Sequence, residues 1–248
     1  MLRKKSGSIE CLEFEQLANI PSLIHGVFLK KGGESEGPFA SLNFGGGTGD
    51  DPEKIARNRE KVRSLFGCNE LISGKQCHGV VVKSVPLGDD EECDGLVTTQ
   101  KSQALTIKHA DCQAAIFYDP INKAIGNVHC GWRGNVGNIY SHAVDFMKKE
   151  IGSKPENLLV SISPSLGPCC AEFINYKTEL PASFLDFQLK PTYFNLWEIS
   201  RFQLQEKGVL PHHIEIAGIC TCCNREHYFS YRRDKTTGRN ATIVALRG

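Results

Sequence analysis

The stretch 107–135 carries an unusual number of side chains that bind metals or take part in catalysis. It reads IKHADCQAAIFYDPINKAIGNVHCGWRGN and contains Cys112 and His129 within runs that otherwise resemble core strands. A third such side chain, His78 of KQCHG, precedes the β-rich run VVVKSV. Two imidazoles and a thiolate can hold a catalytic zinc ion and leave its fourth position open for water. We therefore predict that these three residues meet at one metal ion, at the ends of neighbouring strands of one sheet.

Spacing alone leaves a second interpretation open, in which these residues are structural. A histidine near a strand end is often hydrogen-bonded within the fold, and a free cysteine packs as a small apolar side chain. His109 and Cys130 also compete for the ligand role. Because side chains alternate along an extended strand, we expect His109 to point away from Cys112, and Cys130 to point away from His129.

A second group of cysteines lies in CTCCNREH (220–227), and Cys169 and Cys170 could join it to form a closed zinc site. Adjacent cysteines fit the usual spacing of zinc ligands poorly, because neighbouring side chains diverge. We therefore interpret this segment as a turn with buried thiols. Eleven cysteines without a secretion signal are predicted to be reduced thiols rather than a disulfide framework.

Arginines in glycine-containing loops form the second chemical theme. Arg133 lies in a turn that enters a helix, where backbone N–H groups attract anions. The segment SYRRDKTTGRN adds Arg232, Arg233 and Arg239. The loop SLNFGGGTGDD, which contains Asn43, is rich in glycine but lacks the P-loop pattern, and a surface turn is the alternative. Together these loops could bind phosphate, although the sequence does not bring them together.

The helices that must position these residues have local signals. One is predicted to begin after Asp51, with Pro52 in its first turn, and to end at Gly67. Its buried stripe would consist of Ile55, Val62, Leu65 and Phe66. Two more helices are predicted near 136–150, with Val136 facing inward, and near 194–207.

Short β-rich runs outnumber these helices and are not regularly followed by them. The runs are LIHGVFLK, VVVKSV, GLVTT, ALTIK, AAIFYD, AIGNVH, LLVSIS, IEIAG, YFSYRR and ATIVAL. AAIFYD and AIGNVH are joined by the short turn DPINK and should form a hairpin. The pattern favours an α+β fold with a mixed sheet, in one domain spanning residues 1–248.

Composition excludes several kinds of partner. The 248 residues carry a formal net charge of +1 and are 40% hydrophobic. Nucleic acid and anionic membranes usually require a basic surface, and no run is apolar and long enough to span a bilayer. We expect a soluble, cytoplasmic monomer that acts on small molecules.

Eleven segments, in order, resemble the bacterial laccase-domain family. They are SLNFGG, GDDPEKIARNR, KQCHG, CDGLVT, HADC, FYD, HCGWRG, SPSLGPCCAEF, NLWEISRFQL, CTCC and FSYRRDKTTGR, and they cover nearly the whole chain. Members are also called polyphenol oxidase-like proteins or peptidoglycan editing factors, and are described as purine nucleoside phosphorylases with adenosine deaminase activity. The resemblance implies a three-layer α/β/α arrangement with mixed sheets. It also implies a zinc site at His78, Cys112 and His129.

Three positions depart from the family pattern without removing a ligand. Ala114 replaces a common proline, Cys130 a common alanine and Cys77 a common valine. Because two additional thiols lie beside the ligands, the sequence does not decide whether the metal is Zn²⁺ or Cu²⁺.

The resemblance implies two reactions with different needs. Deamination of adenosine requires a metal-activated water and a carboxylate that moves protons, for which Asp111 is the candidate. Phosphorolysis of purine nucleosides, including methylthioadenosine, requires a bound phosphate near the ribose, for which Arg133 is the favoured residue. The candidates for binding substrate and phosphate are Asn43, Arg133, Arg232, Arg233 and Arg239.

Two other functions remain as alternatives. A copper-dependent polyphenol oxidase would match an older name of the family, but the chain has no H-x-H pair, and its only methionines are Met1 and Met147. The other alternative is a zinc-stabilised protein that takes part in cell-wall editing without catalysing a reaction. A fourth protein ligand that closes the metal site would favour this alternative. We predict about one zinc ion per chain.

Overall fold

The protein is described by a computed structural model that covers residues 1–88 and 90–248. Within these residues the strands, numbered in chain order, form two six-stranded sheets and one small two-stranded sheet. The first sheet has the spatial order β1 (Leu2–Ser6), β2 (Ile9–Glu13), β3 (Leu23–Phe28), β14 (Asn240–Leu246), β7 (Gln103–His109) and β4 (Glu70–Ile72). Only β4 and β7 are parallel, so this sheet is mixed.

The second sheet is mixed as well. Its spatial order is β13 (Ile214–Ile216), β10 (Leu159–Ile162), β8 (Gln113–Asp119), β9 (Ala124–Cys130), β6 (Gly95–Thr98) and β5 (Val82–Ser84). β8 and β9 form the antiparallel hairpin that the short DPINK connection predicted. The small sheet pairs β11 (Gln188–Lys190) with β12 (Tyr193–Phe194).

Helices lie outside the sheets. They are α1 (Glu15–Ala18), α2 (Pro52–Phe66), α3 (Trp132–Val136), α4 (Ile139–Ile151), α5 (Tyr176–Glu179), α6 (Leu196–Glu206) and α7 (Tyr231–Asp234). Short 3₁₀ turns occur at Gly37–Phe39, Pro155–Asn157, Ala182–Phe187 and Pro211–His213. Among the helices of residues 1–88 and 90–248, none combines the length and apolar character that crossing a membrane requires.

The two large sheets share one apolar core. Leu105 and Val244 of the first sheet belong to the same cluster as Leu96, Ile116 and Ile125 of the second. α2 packs on the outer face of the first sheet, and α4 and α6 pack on the outer face of the second. Every residue of β8, β9 and β14 is buried, because both faces of these strands are covered. The prediction of an α+β fold with mixed sheets between helices is confirmed, and its β layer consists of two sheets.

The helix 52–66 forms as its local signals predicted. The Asp51 side chain accepts a hydrogen bond from the backbone N–H of Glu53, and Gly67 ends the helix with a φ of 60°. One detail of its buried stripe was wrong, since Leu65 is exposed. In the last turn Phe66 packs on Phe28 instead, with the ring centroids 5.7 Å apart.

Two other element predictions require correction. The helix expected near 136–150 is interrupted, because Asn138 adopts a φ of 55° and caps α4 by accepting from the backbone N–H of Ser141. Val136 therefore ends α3 and is exposed rather than inward-facing. The segment YFSYRR is not a strand: the side chain of Asn240 pairs with both the N–H and the carbonyl of Phe229, and Ser230 caps α7.

Candidate metal centre

His78, Cys112 and His129 lie together at the seam between the two large sheets. One ligand atom from each lies within 4.8 Å of the other two. His78 belongs to the connection from β4 to β5, and Cys112 to the connection from β7 to β8, while His129 lies in β9. The expectation that all three end neighbouring strands of one sheet is confirmed for Cys112 and His129, at the paired ends of β8 and β9, but not for His78, since β6 separates β5 from β9. Two of them lie in segments that cross from the first sheet to the second.

Both crossing segments contain a non-glycine residue in the left-handed region. His78 has a φ of 62° and Asp111 a φ of 87°. Such conformations are costly and concentrate at functional sites, where the surrounding structure holds them. Gly131 completes the close packing, since a Cβ there would lie 3.0 Å from Cδ2 of His78 and 3.1 Å from Sγ of Cys112. The first glycine of HCGWRG thus leaves room for the ligands.

Asp94 organises the group although it is not one of the three ligands. Its fully buried carboxylate accepts hydrogen bonds from the backbone N–H groups of Cys77, His78 and Gly79, at 3.2, 3.0 and 2.7 Å. Its Oδ1 also lies 2.7 Å from Nδ1 of His129. A carboxylate that holds one ring nitrogen of a histidine orients the other nitrogen for a metal. Asp94 therefore positions one histidine through its ring and the other through its backbone.

The charges of the group favour an anionic Cys112. Burial alone would raise the pKa of this thiol, but the adjacent His129 and His78 lower it. Burial would likewise lower the pKa of His129, but Cys112 and Asp94 raise it. A cation between these residues can replace the proton that the imidazole otherwise holds. Two imidazole nitrogens and one thiolate fit zinc, and also copper.

Both competing residues lie outside the ligand group, as predicted, although alternation along one strand is the reason only for Cys130 in β9. Nε2 of His109 is 2.9 Å from Oγ1 of Thr242, and Cys130 is buried in the core beneath α4. Cys77 donates its thiol hydrogen to Oδ2 of Asp94 at 3.1 Å. In the part of the chain that the structure describes, no fourth cysteine, histidine or carboxylate joins the group. A metal ion held by these three residues would therefore keep a position open for water or substrate.

Two cavities of different character meet at this group. A cavity of about 620 Å³ has a basic wall formed by Lys75, Lys108 and Arg239, with Gly45 and Gly46 of the glycine-rich loop beside them. A cavity of about 360 Å³ has an aromatic and apolar wall that includes Trp132, Leu166, Phe173 and Leu196. His78, Cys112 and Tyr231 line both cavities. A small molecule at the ligand group can thus contact both kinds of wall.

Of the three cations in the larger cavity, only Lys75 has an acidic partner among the described residues, since its Nζ lies 2.9 Å from Oε1 of Glu92. Within residues 1–88 and 90–248, neither Lys108 nor Arg239 forms an ion pair. Burial, and to a smaller extent the nearby Arg59, lower the pKa of Lys108 to about 8. The positive charges of Lys108 and Arg239, which no carboxylate pairs with among the described residues, favour an anionic ligand.

The arginines singled out in the sequence are placed differently. Arg133 is exposed at the aromatic cavity, with its guanidinium carbon 4.4 Å from the centroid of the Trp132 ring. Arg232 lines the same cavity, but its Nη1 donates to the carbonyls of Cys170 and Glu172 at 3.0 and 2.9 Å. Arg239 lines the basic cavity.

Arg233 is not brought to either cavity of the metal centre. It donates hydrogen bonds to the carbonyls of Thr221, Cys222 and Tyr228 and pairs with Asp234. These contacts hold the turn before α7 against the turn that follows β13. The geometry gives Arg233 a supporting position.

Asp111 and Asn43 are also engaged in hydrogen bonds. Asp111 lines the aromatic cavity, and its two carboxylate oxygens accept from Oγ1 of Thr221 at 2.7 Å and from the backbone N–H of Arg232 at 2.6 Å. Asn43 is fully buried, and its Oδ1 accepts from the backbone N–H groups of Gly45 and Arg239. Asn43 thus joins the glycine-rich loop to Arg239 from behind the cavity wall.

Sequence reasoning did not single out Asp94, Lys108 or Phe173. A signal existed for the first two. Asp94 lies in CDGLVT, directly before a β-rich run, and Lys108 is a charged residue at the end of the apolar run ALTIK. Phe173 had no local signal, because its contact with Trp132, at 6.3 Å between ring centroids, joins distant segments.

Comparison with known proteins identifies a family and several relatives that this chain is similar to. A family model described as multi-copper polyphenol oxidoreductase laccase matches residues 24–247. A Geobacillus stearothermophilus protein named purine nucleoside phosphorylase YlmD is 31% identical over 247 residues, with 90% of each chain covered. A Bacteroides thetaiotaomicron protein named purine nucleoside phosphorylase is 30% identical over 244 residues, again with 90% of each covered.

Solved structures share the fold over the full chain. The crystal structure of YlmD from Geobacillus stearothermophilus superposes with a TM-score of 0.88 at 28% identity, covering 99% of this chain and 98% of that one. The crystal structure of the Bacillus licheniformis hypothetical protein YfiH gives a TM-score of 0.88 at 29% identity, covering 99% of each chain.

Proposed function

Because this chain belongs to the multi-copper polyphenol oxidoreductase laccase family, we propose that it is a zinc-dependent purine nucleoside phosphorylase acting as a single domain over residues 1–248. Several relatives carry the name of that activity. It would convert adenosine, inosine or guanosine and phosphate to the free base and ribose-1-phosphate, accept methylthioadenosine, and also deaminate adenosine. The observation that carries the proposal is the position of His78, Cys112 and His129 where a basic and an aromatic cavity meet.

The aromatic cavity suits the purine. Trp132, Phe173 and Tyr231 offer ring faces and edges, and base–aromatic stacking accepts any purine because every base has a π-face. The cavity of about 360 Å³ lies within the range of small-molecule sites, about 300–1,000 Å³. Arg133 at its rim could cover the bound base.

The basic cavity suits the phosphate. Arg239 and Lys108 would hold the anion, and the backbone of the glycine-rich loop, at Gly45 and Gly46, approaches it without a side chain in between. Arginine binds phosphate through charge-assisted and often bidentate hydrogen bonds. In this arrangement the phosphate and the base enter from opposite sides, and the ribose lies beside the ligand group, which places the nucleophile near C1′.

The metal would be held by His78, Cys112 and His129. When bound there, zinc supplies Lewis-acid chemistry, by which it activates water or polarises a substrate oxygen. The proton-moving role of Asp111 in deamination stays a prediction. Its hydrogen bonds to Thr221 and Arg232 keep the carboxylate next to Cys112, and also give it a positioning role for α7.

The experiment that tests the function separates phosphorolysis from deamination in one series. Purified protein is incubated with adenosine, inosine or guanosine, with and without phosphate, and base, ribose-1-phosphate and inosine are quantified. We expect base release that requires phosphate, and conversion of adenosine to inosine that does not. Absence of phosphate-dependent base release from all three nucleosides, in protein that retains its zinc, would contradict the proposal.

Paired arginine variants locate the phosphate. Arg239→Ala is expected to raise the phosphate KM about 10–100-fold, since a hydrogen bond to a charged group contributes about 1.5–3 kcal/mol. Arg133→Ala should mainly raise the nucleoside KM. Arg225→Ala, at an exposed position away from both cavities, is the control. If only Arg133→Ala alters the phosphate dependence, the anion lies beside Arg133, which the sequence favoured for this role.

A copper oxidase is the second candidate, because a His₂Cys group accepts copper and the family description names it. Blue-copper sites add a weak axial ligand, often methionine, and Met147 lies in the core beneath the second sheet instead. Elemental analysis is expected to find zinc at the His78–Cys112–His129 group. Copper alone, with oxidase turnover proportional to copper content, would reverse the order of the two candidates.

A non-catalytic role in cell-wall editing is favoured less. A closed metal site would favour such a role, whereas the ligand group opens onto two cavities. Protein that retains its zinc but turns over none of the nucleosides would favour this role over the enzymatic ones.

A further inference from the structure

A second group of ligand-type side chains lies outside the metal centre. One Sγ atom from each of Cys169, Cys170, Cys220 and Cys223 lies within 4.8 Å of the other three. We propose that these four cysteines bind a structural zinc ion in a closed tetrathiolate site. The proposal does not depend on the activity proposed above.

The sulfur positions fit a shared ion better than a disulfide. Sγ of Cys223 lies 3.5 Å from Sγ of Cys169 and also 3.5 Å from Sγ of Cys170. Zn–S distances of about 2.3 Å in a tetrahedron place the sulfurs about 3.8 Å apart, whereas a disulfide requires about 2.05 Å. A disulfide would also join only two of the four sulfurs. The convergence of all four points to a common centre.

The spacing of the ligands corrects the interpretation drawn from the sequence. CTCC was interpreted as a turn with buried thiols, because Cys222 and Cys223 are adjacent. The group contains Cys220 and Cys223, which have the C-x₂-C spacing of zinc sites, and Cys222 does not belong to it. The thiols of Cys169 and Cys223 are exposed rather than buried, so an ion can reach the group from solvent.

The backbone around the cysteines supports thiolate ligands. The N–H of Gly167 donates to Sγ of Cys220 at 3.3 Å, and hydrogen bonds of this kind stabilise metal-bound sulfur. The two pairs of cysteines lie in separate tight turns. In one, the N–H of Cys170 donates to the carbonyl of Gly167, and in the other, the N–H of Asn224 donates to the carbonyl of Cys220. Each turn presents its sulfurs towards the other.

A zinc ion here would join two turns that support the metal centre. Arg232 donates to the carbonyl of Cys170 in the first turn, and Arg233 to the carbonyl of Cys222 in the second. Thr221, between the cysteines of the second turn, donates to Asp111, the residue before Cys112. The ion would thus fix α7 and one wall of the aromatic cavity without touching the substrate.

Zinc content of matched variants tests the site. Protein is produced with added zinc, purified with a thiol-free reductant, and its zinc measured by mass spectrometry. With two ligand groups, we expect about two zinc ions per chain in the unaltered protein, one more than the sequence predicted. We expect about one in Cys169→Ser/Cys223→Ser, which changes two exposed thiols. Cys112→Ala should also retain about one, and Cys222→Ser, the control from the same turn, about two. Cys169→Ser/Cys223→Ser should also have a lower thermal midpoint.

A second measurement leaves all four cysteines intact. Cys112→Ala protein loaded with Co²⁺ should show the strong sulfur-to-cobalt charge transfer of a tetrahedral four-sulfur site, even if the double variant fails to fold. The proposal is overturned if Cys169→Ser/Cys223→Ser retains as much zinc as the unaltered protein. It is equally overturned if mass mapping finds Cys223 in a disulfide, or if the cysteines hold iron with acid-labile sulfide.

Discussion

Replacing Cys112 with alanine is expected to remove the metal from the His78–Cys112–His129 group and to abolish nucleoside cleavage. Cys112 is the only anionic ligand of the three, and its loss leaves two imidazoles, one of them held by Asp94. Metal affinity should fall far more than the roughly 10–100-fold expected for losing an outer-shell partner. The fold should persist, because a chain of 248 residues buries enough apolar surface without this metal.

Three readouts check this result on Cys112→Ala: zinc content, phosphate-dependent base release and thermal midpoint. Cys222→Ala is the matched control, since its thiol is partly buried but belongs to neither group of ligands. If Cys112→Ala keeps the same zinc content and activity as the control, the metal is held elsewhere and the candidate centre is wrong.

Replacing Asp94 should have the second largest effect, although the residue is not a ligand. Asp94→Asn is expected to weaken zinc binding about 10–100-fold, because the amide cannot supply the charge that orients Nδ1 of His129. Asp94→Ala should weaken it further and also lower the thermal midpoint. It leaves the backbone N–H groups of Cys77, His78 and Gly79 without their acceptor, at a cost of about 1–3 kcal/mol for each that stays buried.

Competition with a chelator measures the affinity of each Asp94 variant for zinc. Asp119→Asn is the matched control, because Asp119 is also fully buried and accepts from the backbone N–H groups of Ile121 and Asn122 in a turn at the far end of β8. The control should alter stability without altering zinc affinity. Equal affinities in Asp94→Asn and Asp119→Asn would show that Asp94 has only a general structural role.

Predictions from the sequence succeeded where the determining interactions are local. The helix 52–66 depends on Asp51 and Gly67, which act within one turn of its ends. The hairpin of β8 and β9 depends on a short connection. Strand alternation correctly separated Cys130 from His129 within β9, because it follows from backbone geometry alone. It does not account for His109, since β7 ends there and Asp111 leaves the extended region. The family resemblance is confirmed as well, since its motifs are short segments of residues.

Errors arose where distant segments supply the hydrogen-bond partners. YFSYRR has the composition of a strand, but Asn240, from the following strand, occupies the backbone groups of Phe229 that a neighbouring strand would need. The four-cysteine group joins Cys170 to Cys223, 53 residues apart, and no periodicity in the sequence reports such a contact.

The sequence by itself determined which residues have the chemistry to bind a metal, since His78, Cys112 and His129 are recognisable by residue type and by position beside β-rich runs. Tertiary structure alone decided where they meet. The chain crosses twice from the first sheet to the second, and these crossings carry His78 and Cys112 to His129 in β9. It also decided that Asp94 holds both histidines and that the ligands face two cavities. The physical reason is that side-chain chemistry and strand alternation are properties of a few consecutive residues. The packing of one sheet on another depends on the whole core.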